Sequence, residues 1–380
     1  MRIGIDMSLI PGERAGGGQY AYQLGAALTR IDQRHRYRLY PVFYYIVHPD
    51  YPRAEFPTSA RMRMAFRHLP RPMVLWLWRA EGWGRVKEWL LGPVDLVHST
   101  TFCVPPLSSR KRLVVTIYDL SFLVHPEFHV EINVQHCLAG TRAALERADA
   151  ILAISEHTRR DLVDRLGARP ERIIVTPLAH NPTYKPVTDV VRLASVQRRY
   201  GLPERFVLFV GTLEPRKNLM RLVQAYASLP ASLRRSVSLV IAGGPGWLSE
   251  SLRREVAERG LVDRVRFIGY VRDEDMAALY SLATVFAYPS LYEGFGLPVL
   301  EAMACGVPVL TSNVSSLPEV AGGAAVLVTP TDIDAIADGL TQLLDDAALA
   351  AKLVARGLEW STNFSWDRCA RETLAVYESV

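Results

Sequence analysis

No run of 18 apolar residues occurs in the chain, so no segment predicts a membrane-spanning helix. Cysteine is scarce. The four present, Cys103, Cys137, Cys305 and Cys369, are widely separated and form no C-x-x-C pair. That spacing excludes a disulfide framework and a cysteine zinc site, and it fits small buried thiols in a reduced cytoplasm. A secretory leader is not expected, because Asp6 falls where its apolar core would run. Lysine is nearly missing: Lys87, Lys111, Lys185, Lys217 and Lys352 stand against 39 arginines. Internal repeats and low-complexity tracts are absent as well.

What is present is ordinary globular material. The 380 residues are 49% hydrophobic and 22% charged, enough for two or three domains with real cores. The net charge of +5 is unevenly spread. Residues 53–90 hold eight basic side chains and three acidic ones, an excess equal to that of the whole chain. Residues 1–180 carry +7 and residues 181–380 carry −2, which points to two regions meeting different partners.

Apolar strands alternate with helices. Strands are predicted over 2–6, 39–47, 94–98, 113–117, 150–154 and 172–176, with a helix from Gln19 to about Ile31. The rhythm restarts with strands at 206–211, 238–243, 265–269, 284–290 and 307–312. Helices are predicted at 217–229, 249–259, 273–282, 297–305 and near 332–344. Continuous apolar strands between helices mean parallel sheets covered on both faces. The fold class is therefore α/β, with two doubly wound, Rossmann-like domains facing a central cleft. Their boundary falls in LAHNPTYKPV (178–187), which has two prolines and little periodicity. The expected division is 1–180 and 181–364.

The strongest local signal is SLYEGFGLPVLEAMACGVPVL (290–310). Glu293 precedes a Gly-Phe-Gly turn, and Glu301 follows eight positions later. A helix start near Leu297, with Pro298 in its first turn, offers unpaired backbone N–H groups and a positive dipole end to an anion. Two carboxylates beside an anion site make sense as acceptors from hydroxyls. The ligand implied is anionic in the middle and hydroxylated at both ends, as a nucleotide sugar is. An ordinary helix start with acidic residues in its first turn is the simpler alternative for the Glu pair alone. The second signal, VGTLEPRKN (210–218), follows a strand and opens a helix. Arg216 and Lys217 there could neutralise a departing diphosphate, or form a solvated basic pair.

Together these segments resemble the retaining, nucleotide-sugar-dependent glycosyltransferases of the two-Rossmann GT-B architecture, family 4. They are similar to the mannosyltransferase-like group that builds bacterial surface polysaccharides, such as O-antigen. TSNVSSLPEVAGGAAVLVTP (311–330) and FSWDRCARETLAVY (364–377) match the same group. The likeness covers nearly all of the second half and is weaker in the first. It also implies a C-terminal helix, 365–380, returning to the first domain.

The resemblance implies roles. Glu293 holds donor-sugar hydroxyls, and Glu301 binds the ribose diol. Backbone groups of Phe295, Gly296 and Leu297 touch sugar and diphosphate. Arg216 and Lys217 neutralise the leaving group. The segment 269–276 meets the nucleobase, with Val271 using its backbone. Gly17 and Gly18 let the first domain's loop close over the phosphates. Glu319 is assigned only support. Where the family usually has His-Asp, this chain has Tyr118-Asp119 in VVTIYDLSFLVHPEF (114–128). Tyr does not become cationic, so Tyr118 is either a substitute contact or a core-lining residue. Asp119 is retained as a catalytic candidate near the sugar, and His125 reads as a surface residue.

Two D-x-D-like strings, Asp273-Glu274-Asp275 and Asp332-Ile333-Asp334, each open a predicted helix, where Asp caps N–H groups. No cofactor and no metal are expected. Residues 53–90 include Trp76, Trp78, Trp83 and Trp89 among their arginines. That mixture fits the headgroup layer of an anionic membrane, buried packing with a solvated Arg face, or nucleic acid, in that order.

The resemblance thus implies a retaining transferase moving a sugar, foremost mannose from GDP-mannose, to a lipid-linked or growing glycan. The expected place is the cytoplasm, peripheral to the inner membrane face. The runner-up keeps the fold with a UDP-sugar or dTDP-rhamnose donor. A nicotinamide dehydrogenase is disfavoured because Gly16–Gly18 lack the G-x-G-x-x-G spacing. A non-catalytic nucleotide- or glycan-binding module has no need for Glu293, Arg216 and Lys217 together.

Overall fold

The computed structural model describes residues 1–8, 16–40, 57, 59–65, 89, 92–101, 104–105, 111–244, 246 and 249–380. They divide into two compact units, Met1–Leu178 with Trp366–Val380, and Ala179–Ser365.

The first unit is built on seven parallel strands: β1 (Arg2–Asp6), β2 (Arg36–Tyr40), β3 (Met62–Met64), β4 (Leu96–Ser99), β5 (Arg112–Ile117), β6 (Ala150–Ala153) and β7 (Ile173–Val175). Their order is β3-β2-β1-β4-β5-β6-β7. The chain winds outward from β1 in one direction, then restarts at β4 and winds in the other. Ile3, Ile5, Leu96, Val97, Val114, Val115 and Leu152 are fully enclosed between helical layers.

The helix Trp366–Ser379 belongs to this unit because of its apolar spacing. Trp366, Ala370, Thr373, Leu374 and Tyr377 recur at helical intervals and are all buried. It is fastened by a polar chain as well. His98 on β4 has no exposed surface; its Nδ1 lies 2.6 Å from the Tyr377 hydroxyl and its Nε2 2.7 Å from the Thr116 hydroxyl. Thr116 in turn lies 3.0 Å from the Tyr20 hydroxyl on the helix Gly17–Ile31. Burial pushes His98 down to about 3, so it serves as a neutral connector.

The second unit carries six parallel strands: β8 (Phe206–Val210), β9 (Ser238–Ala242), β10 (Val265–Gly269), β11 (Val285–Tyr288), β12 (Val309–Ser312) and β13 (Val326–Val328). Their order, β10-β9-β8-β11-β12-β13, is that of a six-stranded dinucleotide-type sheet. Gly243 shows why glycine follows β9: an added Cβ would lie 1.9 Å from the Gly211 carbonyl oxygen. Only a residue without a side chain lets the loops after β8 and β9 touch.

Several boundaries differ from expectation. The second strand is Arg36–Tyr40 rather than 39–47, and 41–47 lie outside the described residues. The three-residue strands β3 and β13 and the helix Ala347–Ser361 were not anticipated. Of the D-x-D-like strings, Asp332 does cap its helix, accepting from the Ala335 N–H at 3.0 Å. Asp273, Glu274 and Asp275 instead lie inside the first turn of their helix, which has no side-chain cap. Asp275 is buried, paired with Arg199 at 2.6 Å, and accepts from the Tyr200 hydroxyl at 2.9 Å.

Candidate active site

In the second unit β11 pairs directly with β8, while the chain between them runs out through β9 and β10. This is the point at which winding reverses, and ligands of such sheets bind beyond the strand carboxyl ends there. The two sequence signals follow these two strands. Arg216 and Lys217 lie in the turn Pro215–Lys217 after β8, and Glu293 lies in the loop after β11. Residues 76 positions apart are thereby brought into contact.

Glu293 is 7% exposed and is the centre of the cluster. Arg216 Nη1 donates to its Oε2 at 2.7 Å. Lys217 Nζ donates to Oε1 at 2.7 Å, and the Tyr288 hydroxyl donates to the same oxygen at 3.0 Å. Ser290 Oγ lies 2.7 Å from that oxygen too. Burial works against ionisation here, but the Arg216 and Lys217 charges and the Lys217 and Ser290 hydrogen bonds outweigh it and hold the carboxyl at about 2. Lys217 is pulled below the ordinary lysine range by burial and by Arg216, with Glu293 opposing that shift. Lys217 also donates to the Tyr288 hydroxyl at 2.5 Å, so Tyr288 links the cation to the carboxylate.

The backbone around this cluster is held in unusual geometry. Among the described residues only Asn218 and Ser315 combine a side chain with positive φ, at 60° and 56°. Both adjoin the cluster. Asn218 Nδ2 donates to the carbonyls of Pro289 and Pro330 at 2.9 and 2.6 Å. Ser315 Oγ accepts from the Glu293 N–H at 3.1 Å, and Ser316 Oγ lies within 2.8 Å of the carbonyls of both Glu293 and Phe295. Strained positions persist where surrounding bonds over-determine them, and they concentrate at working sites.

Glu301 sits on the helix Leu297–Ala304, partly enclosed, and accepts from the Tyr280 hydroxyl at 2.9 Å. Desolvation raises its carboxyl to about 7 despite the Tyr280 bond, with the Asp273 charge adding to the rise. If Glu301 accepts from ligand hydroxyls, it does so best when ionised. The kcat/KM is therefore expected to rise with pH and to level off above about 7. Glu301→Gln should flatten that limb in a pH–rate profile, and an unchanged limb would assign it to another group.

The helix carrying Glu301 starts without a side-chain cap at Gly296, whose φ is 111°. Phe295 is buried against Phe364, with ring centroids 5.9 Å apart. The chain at Phe295, Gly296 and Leu297 thus turns sharply into a helix N-terminus beside the Glu293 cluster, a geometry suited to an anion.

A family described as "Glycosyl transferases group 1" matches residues 196–360, and "Glycosyltransferase Family 4" matches residues 14–183. The "O-antigen chain mannosyltransferase B" of Escherichia coli is 38% identical over 284 residues, covering 74% of each chain. The chain belongs to glycosyltransferase family 4.

The "Serotype-specific mannosyltransferase WbdA" of Escherichia coli is 34% identical to this transferase over 72% of it, which spans 34% of that longer protein. Among solved structures, a sucrose-phosphate synthase from Thermosynechococcus elongatus superposes with a TM-score of 0.76 at 25% identity, covering 100% of this chain and 98% of that one. The architecture is GT-B.

The remaining candidates of this glycosyltransferase fall as follows. Val271 is buried between β10 and the helix Asp273–Leu282. Glu319 lies in the first turn of the short helix Leu317–Ala321. In the first unit, Asp119 follows β5, half-buried, and accepts from the Ser121 N–H at 2.8 Å. The Tyr118 hydroxyl donates to the Thr100 carbonyl at 2.8 Å, and its ring meets Tyr20 edge-on. Gly17 and Gly18 are the first residues of a helix rather than a loop, and Gly16 before them has φ 52°. The residues before Gly16, 9–15, lie outside the described residues. His125 bonds Glu127 at 3.0 Å and stacks on Phe128.

Two features escaped the sequence reading. Tyr288 and Ser290 resemble strand-end core residues until β11 places them against Lys217 and Glu293. Asp6, noted only as the charge that ends β1, is buried and accepts from the Ser8 N–H at 2.9 Å and the Thr101 hydroxyl at 3.1 Å. Burial lifts it to about 6 against those hydrogen bonds. Among the described residues no group of three His, Cys, Asp or Glu side chains is arranged to hold a metal ion.

Proposed function

We propose that this transferase moves mannose from GDP-mannose to a lipid-linked or growing glycan with retention of configuration. The observation that carries the reading is the Glu293–Arg216–Lys217 cluster at the β8/β11 switch point. The relatives named as mannosyltransferases support the choice of sugar. Arg216 and Lys217 stabilise the departing diphosphate, and Glu293 orders them while accepting from a sugar hydroxyl. Glu301 takes the ribose diol, the Val271 backbone meets the base, and the Phe295–Leu297 backbone meets the diphosphate and sugar. Asp119, Gly17 and Gly18 remain the candidates carried by the first unit.

The step breaks the C1–O bond to diphosphate and forms a C1–O bond to the acceptor hydroxyl on the same face. The acceptor proton passes to the departing phosphate oxygen. Positioning and charge stabilisation supply the rate enhancement, with no metal required.

A thermal-shift panel of GDP, UDP, dTDP and ADP tests the donor. A matching nucleotide at a hundredfold excess over its Kd adds about 2.7 kcal/mol to apparent stability. GDP should raise the melting temperature most; a larger rise with UDP or dTDP would replace GDP-mannose by that sugar class.

Residues 53–90 are proposed as an anionic-membrane contact on their sequence alone. Most of them lie outside the described residues, and Trp89 within them is 75% exposed. Among the described residues no helix is long and apolar enough to cross a membrane. Co-sedimentation should favour anionic over neutral vesicles and weaken with salt. Equal binding to both would remove the electrostatic account.

A further inference from the structure

The site holds a fourth charged group that the preceding account leaves unused. Glu214 Oε1 accepts from Arg216 Nη2 at 2.6 Å, while Arg216 Nη1 is committed to Glu293 and to the Tyr292 carbonyl. Glu214, Arg216, Lys217 and Glu293 therefore sum to zero charge. A neutral cluster attracts a diphosphate poorly unless one carboxylate yields its cation.

The two carboxylates are not equally able to yield. The Glu293 side chain is 9% exposed and tied by two cations and two hydroxyls. The Glu214 side chain is 34% exposed, against 18% for Arg216 and 11% for Lys217. It can turn into water without leaving a buried charge behind. Glu214 sits at the N-cap of the turn Pro215–Lys217, but its side chain makes no cap hydrogen bond there.

We propose that Glu214 is a counter-carboxylate for the diphosphate: it pairs with Arg216, releases it to the arriving donor, and competes for it again so that the nucleoside diphosphate product leaves. The inference rests on the diphosphate-binding reading of Arg216 and Lys217. It assigns Glu214 a positioning and release role rather than a catalytic one.

Calorimetric titration with GDP and with inorganic pyrophosphate tests it. Glu214→Gln keeps the size of the side chain and an amide oxygen for Arg216 but removes the charge. It should bind both ligands about tenfold more tightly, the scale expected for one like charge removed at a partly screened site. The gain should shrink as salt is raised. The donor KM should fall with it, and Glu214→Asp should stay near wild type. Glu214→Ala, which removes the carboxylate altogether, should also tighten binding.

Unchanged or weaker binding by both the Gln and Ala variants would overturn the proposal and make Glu214 a simple orienter of Arg216. Failure of the wild type to bind GDP, UDP or pyrophosphate would instead overturn the underlying reading of the site, and this proposal with it.

Discussion

Glu293→Gln is expected to lower kcat by roughly 1,000-fold, at the upper end of what loss of one preorganised charged contact costs. The substitution preserves shape but leaves Arg216 and Lys217 buried side by side without their shared carboxylate. Breaking one partner of a buried ionic cluster costs about 3–5 kcal/mol, so the empty variant should also melt earlier. Bound nucleoside diphosphate supplies the missing negative charge. Nucleotide affinity should therefore hold or rise while turnover collapses. Steady-state kinetics and titration on the same preparation read that split. Proportional loss of affinity and turnover would make Glu293 a general scaffold for the site.

Lys217→Ala is expected to lower kcat/KM by roughly 100- to 1,000-fold with the opposite signature in binding. Glu293 keeps Arg216 at 2.7 Å, Tyr288 at 3.0 Å and Ser290 at 2.7 Å, so the fold should survive. A point charge for the diphosphate is gone, and nucleotide affinity should weaken. Lys217 is buried, bonded to the Tyr288 hydroxyl and set beside Arg216, so arginine, with its larger planar head and fixed fork of donors, is expected to be a poor replacement. Near-normal turnover in both Lys217→Ala and Glu293→Gln would remove the cluster from the mechanism.

The cluster also has a defined pH behaviour. Glu293 is held at about 2, below the ordinary 4.5 of a glutamate. A carboxyl lowered by folding contributes stability that is complete above its unfolded pKa and lost as pH falls through the folded one. The Glu293 network therefore stays intact across the neutral range and weakens only between about pH 4.5 and about 2. The limb expected near pH 7 is assigned to Glu301 instead.

Much of this was legible in the residues, for reasons that also mark where legibility stopped. FVLFV, SLVIA and VFAY read as strands because a parallel strand covered on both faces is apolar throughout. β3 and β13 did not, since three residues carry no period. The glycine turn, Glu293, Arg216 and Lys217 were each visible as separate signals. Their direct contact was not, because it depends on β11 pairing with β8 rather than with a sequence neighbour. That pairing changes the chemistry assigned to Glu293. Sequence alone cast it as an acceptor for sugar hydroxyls, whereas the fold makes it first the counter-ion of both cations. Tyr288 and Ser316 were hidden for the opposite reason: an aromatic in a strand and a serine in a loop look like core and linker until partners are known.

The most direct measurement is transfer of labelled mannose from GDP-mannose to a lipid-linked glycan acceptor, with the anomeric configuration of the product read by NMR. The account predicts an α-linked product from the wild type and almost none from Glu293→Gln. A β-linked product, or no transfer from GDP-mannose alongside efficient transfer from a UDP- or dTDP-sugar, would contradict it.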